Sequence, residues 1–308
     1  MKKYVFLLFL FIADYSVYCT PDSTAASTPL VATPPLNKAK LTKAILLESG
    51  FYLGGMSYLN FIWYKDSKPV PFHLYNDSEG YLQVDKFGHF FGSYLESYIG
   101  YSMLRNAGVK KNKALLYGAT MGIILQTPIE VFDGYYEGWG FSWSDMLANT
   151  AGSALIIGQE LLFNEQLIRY KFSFNRSPYA NQANGYLGHD ALESLFYDYN
   201  GHTYWFSGNL NHLLPKSTLP SWVNVAVGYG ANGMFGEFSN LSSYRGVSIP
   251  PTERYRQYFL SLDIDWSKIP TKSKFMKAVF EGLNFIKIPF PTLEYNSLGQ
   301  FKGHWLYF

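Results

Sequence analysis

The chain has 308 residues and a formal net charge of +2, so it is long enough for one large domain or two ordinary ones and core size sets no limit. Charged residues make up 16% and aromatic ones 19%, against a usual charged share of about 25%. That balance, with no Lys/Arg run, argues against a nucleic-acid partner. The 26 Tyr, 25 Phe and 7 Trp instead suit a membrane interface, where an amphipathic ring is stable at headgroup depth.

In chain order, Lys2 and Lys3 precede a short apolar run from Tyr4 to Ile12, and residues 1–19 read as an export signal. The run is too short to span a bilayer, which takes roughly 20 residues. Cys19 is the only cysteine, so no disulfide is available. It either precedes a conventional cleavage or becomes the lipid-modified first residue of a lipoprotein. Residues 20–39 open on a Ser/Thr/Ala/Pro-rich stretch without hydrophobic period and read as a disordered tether.

Helical patterns fill residues 40–168. The predicted helices are Lys40 to Tyr64, Asp85 to Asn106, Asn112 to Phe132 and Ser142 to Asn164, separated by Gly-rich or polar turns. Residues 169–308 change character. Ile168 to Asn175, Val223 to Gly230 and Tyr258 to Trp266 alternate apolar and polar positions, the period of half-buried strands. The expected fold class is therefore α+β, with a bundle of about four helices followed by an antiparallel β region. Two settings suit those strands: a sheet covering a helical core, or segments embedded in an outer membrane. The ending Trp305-Leu306-Tyr307-Phe308 has the aromatic character of outer-membrane barrels.

Three polar clusters interrupt the apolar helices. The first is Asp85-Lys86-x-x-His89, with Gly92 and Glu96 continuing the same face. Asp85 is also a candidate helix cap, and Lys86 could reach a carboxylate on another helix. The second cluster is Gln126, Glu130 and Asp133, with Pro128 between them and an aromatic loop, Tyr135 to Gly140, after it. The third is Ser142, Asp145 and Asn149, with Gly152 following. Ser142-x-x-Asp145 has the spacing of a capping box. Small Ala148, Ala151, Gly152 and Ser153 would let another helix approach closely.

Ionisable groups among Phe, Leu, Ile and Tyr cost several kcal/mol unless they pair, bind a ligand or shift their pKa. Short connections make successive helices antiparallel, which would bring the clusters to one end of the bundle as a shared site. Opposed carboxylates with an imidazole could hold a divalent metal or work as a general acid/base pair. A buried salt-bridge network explains the same residues without catalysis. The catalytic candidates are Asp85, Lys86, His89, Glu130, Asp133 and Asp145. No named enzyme motif accompanies them, and no metal, cofactor or substrate follows from the residues alone.

The stretch from Val84 to Gln159, through Asp85-Lys86-x-x-His89, Glu130 and Ser142-x-x-Asp145-x-x-x-Asn149-x-x-Gly152, resembles the VanZ-like superfamily. It looks closest to the YfiM-type predicted periplasmic lipoproteins, and the C-terminal segments look like an extension found in such envelope proteins of Gram-negative bacteria. The resemblance implies a compact helical unit of the cell envelope with no agreed activity. Glu48, Glu96 and Glu160 would be expensive in lipid, which favours the periplasm and outer-membrane attachment over the inner membrane. The expected function is to bind a membrane lipid or envelope glycan, or to scaffold envelope components. Hydrolysis of lipid or cell wall by carboxylates with His89 is the alternative.

Overall fold

The structure, a computed structural model, describes residues 35–64, 67–182, 184–209, 211 and 219–308. The expected export signal, Cys19 and most of the tether lie outside the described residues. The chain divides into two compact units, Met1–Asp77 with Gly92–Asn164, and Ser78–Phe91 with Glu165–Phe308. The fold is α+β, with helices mostly in the N-terminal half and strands in the C-terminal half.

The first unit is helical. Helix α1 (Lys38–Trp63) is capped by Asn37, whose side chain accepts from the Lys40 amide. Helix α2 (Val84–Asn106) crosses the division between Phe91 and Gly92. Helices α3 (Lys111–Tyr117), α4 (Met121–Asp133) and α5 (Trp143–Leu162) complete the unit.

The expected helix from Asn112 to Phe132 is two helices, α3 and α4, separated by a turn at residues 118–120. The cause is a close backbone approach. A Cβ on Gly118 would lie 2.6 Å from the Gly100 carbonyl, and one on Gly122 would lie 2.1 Å from the Ser93 carbonyl oxygen. Helix α2 and the start of α4 therefore touch main chain to main chain. Serines fill the seam. Ser93 Oγ donates to the Asn149 carbonyl oxygen at 2.5 Å, Ser153 Oγ lies 2.9 Å from Ser93 Oγ and 2.8 Å from Ser97 Oγ, and the Gly122 amide donates to Ser97 Oγ at 3.1 Å. Hydroxyls in place of leucines let three helices pack closely while their polar groups satisfy one another.

The second unit is built on a six-stranded antiparallel sheet. Its strands are β1 (Ile168–Phe174), β2 (His202–Asn209), β3 (Val223–Asn232), β6 (Tyr255–Ile264), β7 (Phe290–Asn296) and β8 (Phe301–Tyr307), in that spatial order. The short pair β4 (Ser243–Tyr244) and β5 (Val247–Ser248) forms a separate hairpin, and helices α6 (Ala191–Tyr197) and α7 (Lys274–Leu283) lie in connections.

The register sorts the side chains into two unlike faces. Tyr170 pairs with Phe206, Phe206 with Val227, Val227 with Leu260 and Leu260 with Leu293, so one face is apolar across five strands. The opposite face carries Lys171, Ser207, Asn224, Asp263, Glu294 and Thr292, all buried. The start of α2 seats on the apolar face at β1–β3: Phe87 stacks on Tyr229 at 4.5 Å, and Phe90 and Phe91 meet Tyr170 and Phe172 at 4.6 and 5.6 Å.

Candidate functional site

The start of α5 organises the helical unit's polar interior. Ser142 caps the helix, accepting from the Asp145 amide at 3.1 Å, which gives half of the expected capping box. Its hydroxyl donates to Asp77 Oδ1 at 2.5 Å, and Ser144 donates to the same oxygen at 2.7 Å. Asp77, which the sequence reading passed over, thus places a carboxylate at the positive end of the helix. Its only sequence signal was the polar run Asn76-Asp77-Ser78.

One turn along the buried stripe of α5 come Asp145 and then Asn149, with Gly152, Ser153 and Ile156 continuing it. Asn149 is fully buried, and neither Oδ1 nor Nδ2 of its amide meets a hydrogen-bonding partner among the described residues. A buried amide left this way costs about 1–3 kcal/mol for each unmet group. Glu130, on α4, is also fully buried. The outer side of α5 is the reverse, with Trp143, Leu147, Leu161 and Leu162 at 64–74% exposed.

The other members of the second cluster turn to different partners. Gln126 hydrogen-bonds Glu96, and Gly92 makes room for it, since a Cβ there would lie 2.9 Å from Gln126 Nε2. Asp133 accepts from the Tyr64 hydroxyl, whose ring stacks on Tyr136 at 4.4 Å. The His73 ring lies 3.0 Å from the Gly134 carbonyl oxygen and 2.8 Å from that of Trp139, pinning the aromatic loop. Glu160 is paired too, accepting from Tyr101 at 2.8 Å and lying 3.5 Å from Lys111.

Glu48 and Glu96 form an acidic pair inside apolar surroundings. Burial pushes the Glu48 carboxyl up to about 7. Burial, with a smaller push from the Glu48 charge, takes Glu96 up to about 8 against the opposing Gln126 bond. Glu48 lines an open cleft of about 250 Å³ between α1 and α4, with Ile45, Tyr52, Leu53, Met121 and Leu125.

Asp85, Lys86 and His89 belong to the second unit. Asp85 is not the cap of α2 but its second residue, because the helix starts at Val84 straight from the 3-10 turn Gly80–Gln83. Lys86 Nζ reaches its own neighbour, Asp85 Oδ2, at 3.0 Å. Asp85 and His89 sit one turn apart, each with a ligand atom within 4.8 Å of the other. A carboxylate and an imidazole at that separation suit cation binding.

No curated protein and no solved structure matches the chain. Residues 74–159, which hold all three polar clusters and Asp77, match the model of a family described as "Predicted periplasmic lipoprotein (DUF2279)". That match supports an exported, periplasmic protein of the cell envelope and carries no activity with it.

Proposed function

We propose that this is an envelope protein attached to the outer membrane that binds a membrane lipid through its helical unit, with Glu130, Ser142, Asp145 and Asn149 on the polar part of the ligand. The observation that carries the reading is the orphaned Asn149 amide, one turn beyond buried Asp145. A ligand headgroup would supply the missing bonds. Lipid is favoured over glycan by the exposed leucines and tryptophan on the outer side of α5, because an apolar exterior around a polar interior suits contact with acyl chains. The VanZ-like part of the resemblance fits the same reading.

The test is mass spectrometry of lipid co-purifying with the full chain from envelope extracts. A lipid retained by the wild type and lost from Asn149→Leu is expected. No lipid, or equal lipid in both, would end the proposal.

A hydrolase is the second reading, favoured by the Asp85–His89 pair. Here His89 would act with a carboxylate as base on a lipid or cell-wall ester or amide. Product release that vanishes in His89→Ala would support it.

A further inference from the structure

The sheet has its polarity reversed relative to a sheet in water. Along β6 the buried positions are Gln257, Phe259, Ser261 and Asp263, and the exposed ones are Tyr258, Leu260 and Leu262. Along β7 the buried positions are Thr292, Glu294 and Asn296, and the exposed ones are Pro291, Leu293 and Tyr295. The polar groups of this face bond to one another: Ser207 donates to Asp263 at 2.6 Å, Gln257 to Glu294 at 2.9 Å, and half-buried His304 lies 2.6 Å from Glu294. An aqueous exterior would favour the opposite arrangement, since each exposed Leu forfeits burial while each buried charge pays desolvation. Outward apolar and inward polar alternation is what strands in lipid require.

The exposed patch continues an apolar face whose other part is already covered by Phe87, Phe90 and Phe91 from the start of α2. Leu260 and Leu293 are cross-strand partners, 48% and 63% exposed, and Phe301 and Trp305 on edge strand β8 are 82% and 84% exposed. The connection from β6 to β7, at the Leu262 end of the patch, carries Lys272, Lys274 and Lys277 around Phe275, which is 65% exposed. Basic and aromatic side chains in the connection at one end of those strands match an anionic headgroup layer. The depth is limited. Tyr258 to Leu262 rises about 13 Å along the strand, roughly half the apolar band of a spanning barrel.

We propose that the exposed face of β3, β6, β7 and β8 seats in one leaflet of an anionic lipid bilayer, with Lys272, Lys274 and Lys277 at the headgroups. This reading uses neither Asn149 nor the helical cleft, so it stands or falls apart from the lipid ligand of the helical unit.

The test uses the full chain carrying Cys19→Ala, which removes the candidate anchor, with Leu293→Cys bearing an environment-sensitive dye. Vesicles of equimolar phosphatidylethanolamine and phosphatidylglycerol should shift its emission to the blue and make it quenchable by spin-labelled lipid. Leu192→Cys on α6 should show neither effect. Leu260→Asp/Leu293→Asp should abolish vesicle flotation with an unchanged circular dichroism spectrum. Lys272→Glu/Lys274→Glu/Lys277→Glu should remove the preference for phosphatidylglycerol over phosphatidylcholine. Asn149→Leu should leave the Leu293 signal unchanged. Equal response of both dyes, or none, overturns the proposal. So does a vesicle-free dimer that Leu260→Asp/Leu293→Asp dissolves, which would assign the face to a second copy of the chain.

Discussion

Lys171 on β1 and Asp263 on β6 form an ion pair of 2.7 Å with neither side chain exposed. Two strands, β2 and β3, lie between them in the sheet. In a flat sheet their backbones would be about 14 Å apart, so the contact requires the polar face to curl inward. The Lys171 ammonium also donates to the Ile264 carbonyl at 2.7 Å, and Asn224 and Ser207 extend the network to Asp263. Lys171→Met should therefore strand the Asp263 charge and cost about 3–5 kcal/mol. Lys171→Met/Asp263→Leu should recover most of that loss in denaturant melts. A single variant as stable as the wild type would mean that the pair is dispensable.

Stability should fall as pH rises through neutrality. Glu48 and Glu96 have folded values of about 7 and about 8 against an ordinary 4.5. Between pH 4.5 and 8 the folded chain therefore holds protons that the unfolded chain has released. Their contribution is complete below the ordinary value and is lost as pH climbs through the folded ones, at no more than about 1.4 kcal/mol per pH unit per group. Thermal midpoints should drop from about pH 5 to 8, and Glu48→Gln/Glu96→Gln should flatten that slope. A midpoint that rises over this range in the wild type would contradict the burial of the pair.

The crossing of α2 and α4 leaves no room for a methyl group. Gly122→Ala should cost about 1–3 kcal/mol or more, because the atom in the way is the Ser93 main-chain oxygen. Gly158 on α5 meets nothing within 4 Å of a built Cβ. Gly158→Ala should instead stabilise by roughly 0.5–1 kcal/mol. Opposite signs for the two variants in the same melt would verify the packing.

Asn149→Leu separates function from folding. Removing an unbonded buried amide should leave the delipidated protein as stable as the wild type or more so, while lipid retention is lost. A loss of about 2 kcal/mol or more in the delipidated state would instead assign the amide a structural partner.

Where helix period and local capping decide the structure, the sequence is legible. The helices ending at Asn106 and starting after Ser142 follow from apolar spacing and a serine cap. The break between α3 and α4 does not, because it depends on Gly100 and Gly118, residues far apart in the chain whose closeness no local pattern records. Strands β1, β3 and β6 announce themselves by alternation. Strands β7 and β8 are short, carry Pro291 and Gly303, and pair through a register shift between Phe290 and Thr292. Alternation also cannot say which face meets water, so the buried Asp263 and exposed Leu262 had to come from the structure. At the site, Asp145 and Asn149 were readable from their apolar setting. Asp77 was not, because its importance comes from Ser142 and Ser144 hydroxyls some 65 residues away.

Just before α2 the backbone makes one left-handed turn, with φ of 45°, 51° and 68° at Tyr81, Leu82 and Gln83. None is a glycine, and each such residue costs roughly 1–2 kcal/mol. The turn is held from outside: the Tyr81 amide donates to the Glu237 carbonyl at 2.8 Å, Tyr229 donates to the Leu82 carbonyl, and Arg256 donates to Gln83 Oε1 at 2.9 Å. Those three partners lie more than 140 residues downstream in the chain. During vectorial delivery from the N-terminus, the turn and the first coil of α2 must therefore wait for nearly the whole polypeptide to emerge. The turn that starts α2 is therefore expected to form late, once β3 and β6 are present to hold it.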